Sequence, residues 1–451
     1  MANMRDSKPP GRGRGKTGKD AQEGQPGPVR AKLAEEAMQR KAAHGAVISR
    51  RAADRLRGGH LWVYASDVVR LDAVTGEEGL LAVADERGIL LGTALYSPPS
   101  QIALRLVSRE GIDHSAWMEL LEARLRRAIA RRKPMLDENN DACRLCFSEA
   151  DELPGLIVDK YGELVIVQRL TRGLLGDDVS RVLVRVLREE AAPAAIVERP
   201  DPRIREIEGL PAPGAEPLWS ARKDAGLEVE FHLNGLGFHY DANAGQKTGA
   251  FLDQRMNYAA ARDWAERLMK TIRGANGRGL DVCCYQGGFA LHLAEVCRTV
   301  TGIDASHASL EVAERNLAAN RGRLNAEVGW LQGDAFEILR DWSDGGERFD
   351  AIVLDPPAFA RTRRAVEGAM RGYKELNLRA LKMASEGGLL VTCSCSHHVG
   401  WADFEAAVAA AAADAGRRVR VIERRGAAPD HPVVLNLPET EYLKCLVLEV
   451  E

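Results

Sequence analysis

In the C-terminal part of the chain, short apolar runs alternate with segments of helical periodicity. Strands that are apolar throughout are typical of a parallel sheet that helices cover on both faces. The last two runs, RVRVIERR and YLKCLVLEV, have no helical segment between them, so we expect them to pair antiparallel at one edge of the sheet. The pattern therefore predicts a doubly wound α/β fold. The apolar runs are GLDVCCY, TVTGID, VGWLQGD, FDAIVLD and GGLLVTCSC, and helices are expected after the first run as far as Cys297, over residues 309–320 and near 373–386.

The size and charge of the chain limit what kind of protein it can be. Its 451 residues are enough for about three domains. Lys+Arg 62 nearly balance Asp+Glu 65, so no global field marks a nucleic-acid or membrane binder, and any basic surface must be local. We find no apolar run of about 18 residues and no signal-like start, and we therefore expect a soluble, cytoplasmic protein without a membrane partner. The eight cysteines are scattered along a long chain, which favours free thiols.

Changes in composition divide the chain into four parts. Residues 1–45 are rich in Gly, Pro, Lys and Arg and have few large apolar side chains, which predicts a disordered basic tail. Residues 46–112 carry short β-like runs. Residues 113–225 begin with an amphipathic helix over 113–133, capped by Asp113 or Ser115 and stopped by Pro134. They continue with a hairpin, a helix and a strand. Residues 226–451 contain a further hairpin and then the alternating pattern.

Acidic residues or glycines follow four successive strands of the predicted sheet. The carboxyl ends of parallel strands meet at one edge, where ligands bind in such folds. Asp304 comes 23 residues after Asp281 and suits a carboxylate that accepts both ribose hydroxyls, whereas Asp334 can accept from an adenine amino group. Gly287-Gly288 would let a ligand approach the backbone, and Asp355 is held on a stiff Pro-Pro turn. Each residue by itself could be a helix cap or loop residue, but together they favour a site for an adenosine-containing cofactor.

The stretch VTCSCSHHV brings two cysteines and two histidines together at the end of the fifth strand. Zinc is disfavoured for Cys393, Cys395, His397 and His398, because a strand end cannot readily wrap four ligands from six residues around a tetrahedral ion. We therefore expect no metal. Cys143 and Cys146 have C-x-x-C spacing but no second pair, so we expect them to be packed thiols.

Taken together, these segments resemble the RlmI (YccW)-like family of large-subunit (23S) ribosomal RNA cytosine-5 methyltransferases, which are class I S-adenosylmethionine-dependent enzymes. Upstream, RGGHLWVYASDV is similar to the opening of that family's PUA RNA-binding domain, and the resemblance covers about residues 46–451. It implies a Rossmann-like catalytic sheet with an antiparallel edge strand, preceded by a small β-rich PUA-like domain and a small α/β central domain. The motifs that carry it include DVCCYQGGFALHLA, TGIDASHASLEVAERNLAAN, GDAF, FDAIVLDPPAFA, LLVTCSCS and GQKTGAFLDQR.

The resemblance also implies the ligands of the chain and their sites. The cofactor would be S-adenosylmethionine, and the partner would be ribosomal RNA or a ribosomal assembly intermediate. The oligomeric state stays open, with a homodimer as one option. By position, Cys395 and Asp355 would be catalytic. The cofactor pocket would comprise Gln254, Asp281, Tyr285, Gly287, Gly288, Asp304, Ser306, Asp334, Ala335, Asp355 and Pro356.

The proposed chemistry explains why a cysteine is needed. Carbon 5 of cytosine is a weak nucleophile, and a thiolate that adds at carbon 6 activates it. Cys395 would supply the thiolate, and Asp355 could share a proton with the ring nitrogen beside the amino group. Cys393 points the same way on a strand, and we expect it to be a core thiol rather than a helper.

Some alternatives stay open at this point. Another branch of cytosine-5 methyltransferases carries a second cysteine where this chain has Ala358, so some other base would take the carbon-5 proton. His397 or His398 could do so, although solvated histidines are the favoured interpretation. CCYQGGF and SHH depart from the usual family pattern, which leaves room for a different target such as the ring nitrogen at position 7 of guanine. From a different class, the protein could be an RNA-binding or ribosome-assembly factor without catalysis.

Overall fold

The structure is a computed structural model, and it describes the chain from residue 45 to the C-terminus apart from a few short segments. Residues 1–44 of the predicted basic tail lie outside the described residues, and Gly45, its last predicted residue, begins the first strand. The described elements are arranged around three larger sheets and one hairpin. The segments left out are 73–78, 200, 213, 215, 223–225, 244–249, 273–275, 325 and 361.

Six short strands and one helix form the N-terminal sheet. They are β1 Gly45–Ile48, α1 Arg50–Arg57, β2 Trp62–Val63, β3 Val68–Leu71, β4 Leu80–Asp85, β5 Leu90–Tyr96 and β6 Leu104–Ser108. The strand order is β2-β6-β5-β4-β1-β3. Among the described strands of this sheet, only β1 and β4 pair parallel. The strands agree with the predicted β-like runs. Helix α1 was not predicted; Ser49 begins it by accepting a hydrogen bond from the Ala52 N–H.

A second sheet of five strands follows, with three helices. The elements are α2 His114–Arg132, β7 Ala142–Phe147, β8 Leu156–Tyr161, β9 Leu164–Arg169, α3 Asp177–Ala191, β10 Ala195–Glu198, α4 Pro202–Glu208 and β11 Trp219–Ser220. The order is β11-β10-β9-β8-β7, in which β8 and β9 form the predicted hairpin. Asp113 caps α2, as one of the two predicted caps, and Cys143 and Cys146 are fully buried in β7.

The C-terminal part contains a two-stranded hairpin and a seven-stranded sheet. Its elements are β12 Glu228–Leu233, β13 Leu236–Asp241, α5 Arg255–Met269, β14 Arg278–Val282, α6 Gly288–Leu293, β15 Thr299–Asp304, α7 His307–Asn320, β16 Glu327–Gln332, α8 Ala335–Gly345, β17 Phe349–Leu354, α9 Val366–Met383, β18 Ala384–Ser394, α10 Trp401–Ala415, β19 Val419–Arg425 and β20 Lys444–Val450. The sheet order is β16-β15-β14-β17-β18-β20-β19. Strands β14 to β18 are parallel, while β20 is antiparallel to both β18 and β19. The predicted doubly wound sheet with an antiparallel edge is confirmed.

Alternate residues of the central strands enter two different cores, which explains why these strands are apolar throughout. Ala351 and Val353 pack in one core with residues of α5 and α6, whereas Ile352 and Leu354 pack in the other with residues of α9 and α10. Successive side chains of a strand point to opposite faces, so a sheet covered on both sides needs apolar residues at every position.

Several helix boundaries differ from the sequence expectation. The helix expected near 373–386 is α9, which begins seven residues earlier and ends at Met383, because Ala384 already pairs with Phe349 in the sheet. The helix expected to run to Cys297 ends at Leu293. Helices α8 and α10 were not predicted. None of the described helices combines the length and the apolar character that a membrane span requires.

Candidate active site

A large cleft lies where the parallel strands of the seven-stranded sheet end. Its volume is about 1160 Å³, more than the roughly 300–1,000 Å³ of an ordinary small-molecule site, so it has room for two ligands. Most of the residues predicted from the sequence line it. They are Gln254, Tyr285, Asp304, Ser306, Asp334, Ala335, Asp355, Pro356 and Cys395.

Backbone N–H groups fix the carboxylate of Asp304 at the end of β15. The Tyr285 N–H donates to Oδ2 at 2.9 Å, and the Ser306 N–H donates to Oδ1 at 2.8 Å. Tyr285 and Cys283 both have left-handed backbone conformations, with φ of 52° and 63°. Such conformations cost about 1 kcal/mol or more in residues other than glycine and are common at functional sites. The turn after β14 therefore aims the Tyr285 N–H at the carboxylate that was predicted to accept a ribose.

Two predicted cofactor residues are also helix caps. Asp334 precedes α8 and accepts from the N–H groups of Phe336 and Glu337 with a single oxygen, Oδ1. Ser306 precedes α7 and accepts from the Ser309 N–H through Oγ. Capping does not exclude ligand binding, since Asp334 uses only one of its two oxygens in these bonds. Cap and ligand contact were expected as alternatives, and the geometry allows both.

Asp281 lies deeper than the residues that line the cleft. It is fully buried, and its Oδ2 accepts from the Ala290 N–H at 2.8 Å, while Oδ1 has no partner among the described residues. Burial raises the pKa of its carboxyl well above the usual range, and the charges of Asp355 and Asp304 act in the same direction. Asp281 and Gly288 line a small cavity that shares Asp355 with the large cleft.

The two glycines after β14 leave room for aromatic side chains. A Cβ atom on Gly287 would lie 2.8 Å from the Trp330 ring, and one on Gly288 would lie 2.5 Å from the Tyr258 ring. Gly287 also has φ of 85° and begins α6. It lines neither of the two cavities described above, so its observed role is to form the turn and admit Trp330.

Cys395 follows directly after β18 and lies beside the Pro-Pro turn. Its Sγ is 3.9 Å from the carbonyl oxygen of Pro356, the residue next to Asp355. The turn and the strand end are tied together through Ser396, whose Oγ accepts from the Ala360 N–H at 3.1 Å and bonds the Tyr373 hydroxyl at 2.9 Å. The thiol therefore lies beside the turn that carries Asp355 at the end of β17.

The other members of VTCSCSHHV are separated from this thiol. Cys393 is fully buried and lies opposite Cys445 in the sheet register; burial raises the pKa of its thiol well above the ordinary value. His397 and His398 are both exposed. Within the described part of the chain, no three His, Cys, Asp or Glu side chains are grouped as metal ligands. No disulfide links any of the eight cysteines, all of which lie in the described part of the chain.

Gln254 and the final strand add residues to the site. Gln254 is buried in the turn before α5, lines the cleft, and accepts from Asn257 Nδ2 at 2.6 Å. The Tyr442 hydroxyl donates to Asp253 Oδ2 at 2.5 Å, and both residues line the cleft. Lys444 begins β20 and is buried. Asp253, Tyr442 and Lys444 were not predicted from the sequence. A single lysine at the start of an apolar strand was the available signal, but the strand order was needed to interpret it.

Comparisons with known proteins agree with the fold and the site. A family model described as a PUA-like domain matches residues 47–109, and one described as a methyltransferase domain matches residues 280–371. The crystal structure of a proposed SAM-dependent methyltransferase from Streptococcus mutans has a TM-score of 0.73 at 18% identity, covering 90% of this chain and 100% of that chain. A second, of a proposed methyltransferase complexed with SAH, has a TM-score of 0.72 with the same identity and coverage. The fold is thus that of a methyltransferase preceded by a PUA-like domain.

Relatives of known name identify the family. The Ribosomal RNA large subunit methyltransferase I of Pseudoalteromonas translucida is 35% identical over 401 residues, which cover 88% of this chain and 96% of the relative. The protein of the same name from Escherichia coli O127:H6 is 34% identical over 390 residues, covering 85% of this chain and 94% of the relative. The chain belongs to the ribosomal RNA large subunit methyltransferase I family. The family resemblance drawn from the sequence motifs is confirmed.

Proposed function

We propose that this protein transfers a methyl group from S-adenosylmethionine to carbon 5 of a cytosine in large-subunit ribosomal RNA. The observation that carries the proposal is the position of Cys395, whose Sγ lies 3.9 Å from the Pro356 carbonyl oxygen in the cleft that Asp304 and Asp334 also line. A thiol beside the proposed cofactor site is what carbon-5 chemistry needs. Methylation of a guanine ring nitrogen would give this thiol no role. Ribosomal RNA as the substrate implies action in the cytoplasm.

The residues of the cleft fit the proposed cofactor. Asp304 offers a fixed carboxylate to the ribose hydroxyls, and Asp334 and Ala335 lie at the next strand end for the adenine. Asp281 adds a buried oxygen without a partner among the described residues, next to Gly288, which suits a polar group of the ligand. When bound, S-adenosylmethionine supplies an electrophilic methyl group.

The side chains at the ends of β17 and β18 would act on the base. The Cys395 thiolate adds to carbon 6 of cytosine, forming a sulfur–carbon bond and placing electron density on carbon 5. Asp355 in its protonated form donates to the ring nitrogen beside the amino group and so stabilises the adduct. After methylation, carbon 5 loses its proton to a base, the sulfur–carbon bond breaks, and Cys395 is regenerated as a thiolate.

Exposed arginines near the cleft suit an RNA substrate. Arg203 lines the cleft itself, and Arg363 and Arg364 are exposed on the turn that follows the Pro-Pro segment. These three have no ion pair with a described residue, so their charges are available to phosphates. The proposal therefore places the RNA backbone at the mouth of the cleft and the target base inside it, next to Cys395.

Substitution of the two cysteines in VTCSCSHHV tests the proposal. We expect Cys395→Ala to reduce methylation at least about 1,000-fold, because the activated nucleophile is lost. Cys393→Ala is the matched control and should stay within about tenfold of the wild type. The assay measures methyl transfer to ribosomal RNA or ribosomal particles from cells that lack the protein, with the modified base identified chemically.

The outcomes separate the competing functions. S-adenosylmethionine affinity, measured by calorimetry, should be unchanged in Cys395→Ala. A fully active Cys395→Ala variant would rule out the cysteine mechanism. Detection of methylated guanine would show that the target base is guanine rather than cytosine. Absence of methyl transfer by a wild-type protein that still binds RNA would indicate a binding factor.

A further inference from the structure

Lys444 is a buried lysine at the first position of β20, next to the strand that carries the proposed nucleophile. Only 3% of it is exposed, and it pairs with Ser394 in the register between β18 and β20. Strand β20 enters the sheet antiparallel, so its first residue meets the last residues of β18. Insertion of the C-terminal strand therefore brings Lys444 to the strand end that precedes Cys395.

The hydrogen bonds of Lys444 go to backbone carbonyls rather than to an acid. Its Nζ donates to the Ser396 carbonyl oxygen at 2.8 Å and to the Tyr442 carbonyl oxygen at 2.7 Å. No carboxylate of the described residues forms an ion pair with it within 4.0 Å. A buried ammonium without a carboxylate partner is costly, so its retention calls for another anionic group nearby.

Two groups oppose the effect of burial on Lys444. Burial lowers the pKa of Lys444 to about 8, and the strongest opposing influence is the charge of Cys395, followed by that of Glu441. The ammonium is therefore largely protonated at neutral pH. The Ser396 carbonyl that it binds belongs to the residue directly after Cys395, so the same contact also fixes the backbone beside the sulfur.

Other titratable groups face Cys395 from the surrounding elements. Asp355 lines the cleft from the end of β17. Tyr373 of α9 bonds Ser394 and Ser396 on either side of the thiol. Tyr442 lines the cleft from the segment before β20, and His397 packs against it with ring centroids 5.5 Å apart. His397 is exposed, so Lys444 is the buried cation of the set.

We propose that Lys444 is a positioning residue that stabilises the thiolate of Cys395 and holds the strand end on which the thiol lies. The proposal rests on the function proposed above, in which Cys395 is the nucleophile. In the step concerned, the S–H bond breaks, the proton goes to water, and the electron pair stays on Sγ until it forms the bond to carbon 6. The Lys444 ammonium keeps its own proton throughout this step.

The reactivity of the thiol towards iodoacetamide tests this role without RNA or methylation. Alkylation of full-length protein is followed from pH 5 to 10, and mass spectrometry quantifies each cysteine-containing peptide. Cys283 is an internal reference, because it and Cys395 are the half-buried thiols while the other six are buried. The pKa of Cys283 is raised by burial and by Asp304 and Asp355. Its alkylation should stay slow in every variant.

The expected result is a change in the pH profile of one thiol. In the wild type, the midpoint for Cys395 should lie below about 8.5, the ordinary value for a cysteine. Lys444→Met should move it up by about one pH unit or more, which means about tenfold slower alkylation at pH 7. Lys444→Arg should restore part of the shift. Lys270→Met, which removes an exposed charge paired with Glu266, is the matched control and should leave the profile unchanged.

Two results would overturn the proposal. One is an unchanged Cys395 midpoint in a folded Lys444→Met protein, with folding checked by thermal unfolding. The other is a wild-type midpoint at or above about 8.5, which applies even if the variant does not fold. Failure of the proposed function is a separate observation. An active Cys395→Ala enzyme would exclude Cys395 as the nucleophile, whatever the pH profile of Cys395 alkylation in the wild type.

Discussion

The two halves of the cleft are built in different ways. In the cofactor half, Asp304, Ser306 and Asp334 bond backbone N–H groups, most of them within three residues along the chain. In the catalytic half, Cys395 and Lys444 are brought together by pairing of β18 with β20, strands that are separated by a helix and another strand. The first half is fixed by local turn chemistry, and the second depends on the order of strands in the sheet.

This difference explains which parts of the site were predictable. Carboxylates at strand ends were recognised from spacing, because the carboxyl ends of parallel strands meet at one edge. Cys395 was recognised through the family motif, and the structure places it beside the Asp355 strand end. Lys444 and the Tyr442–Asp253 pair were not predicted, because β20 lies between β18 and β19, and nothing in the sequence reveals that order.

The fold shows the same limit. The parallel strands and the antiparallel pair followed from apolar runs, whereas α1, α8 and α10 were missed. Helix α1 lies in the segment that was expected to be β-like, and no element had been assigned to the segments of α8 and α10. Gly287 shows a further limit, since its packing against Trp330, a residue distant in sequence, was not predicted. Packing between remote residues cannot be read from a local pattern.

Among substitutions of the cleft carboxylates, the largest effect should come from Asp355→Asn in the catalytic half. Loss of a group that donates a proton in the adduct typically costs about 100- to 10,000-fold in rate. We expect the methylation rate to fall by at least about 100-fold, measured in single-turnover assays with ribosomal RNA. Cofactor affinity should change less than the rate does. A variant that loses cofactor binding and rate to the same degree would assign Asp355 to the cofactor half instead.

A smaller effect, confined to the cofactor half, should follow from Asp304→Asn. The carboxylate accepts two backbone N–H groups, and hydrogen bonds to a charged group contribute about 1.5–3 kcal/mol. We expect S-adenosylmethionine affinity to fall by about 10- to 100-fold in calorimetry. The alkylation profile of Cys395 should stay as in the wild type. If that profile moves with Asp304→Asn, the two halves are coupled and the separation proposed here is wrong.

The central claim is that Cys395 forms a covalent bond to cytosine, and trapping the adduct tests it most directly. In ribosomal RNA that contains 5-fluorocytidine, carbon 5 of that base carries fluorine instead of hydrogen and has no proton to lose. The sulfur–carbon bond should therefore persist after methylation. We predict that digestion and mass spectrometry will find the modified nucleotide on the peptide that contains Cys395, and that a Cys395→Ser protein, with Cys393 intact, will give no adduct. Methylation of ordinary cytosine without any trapped adduct, or an adduct at Cys393, would contradict the account.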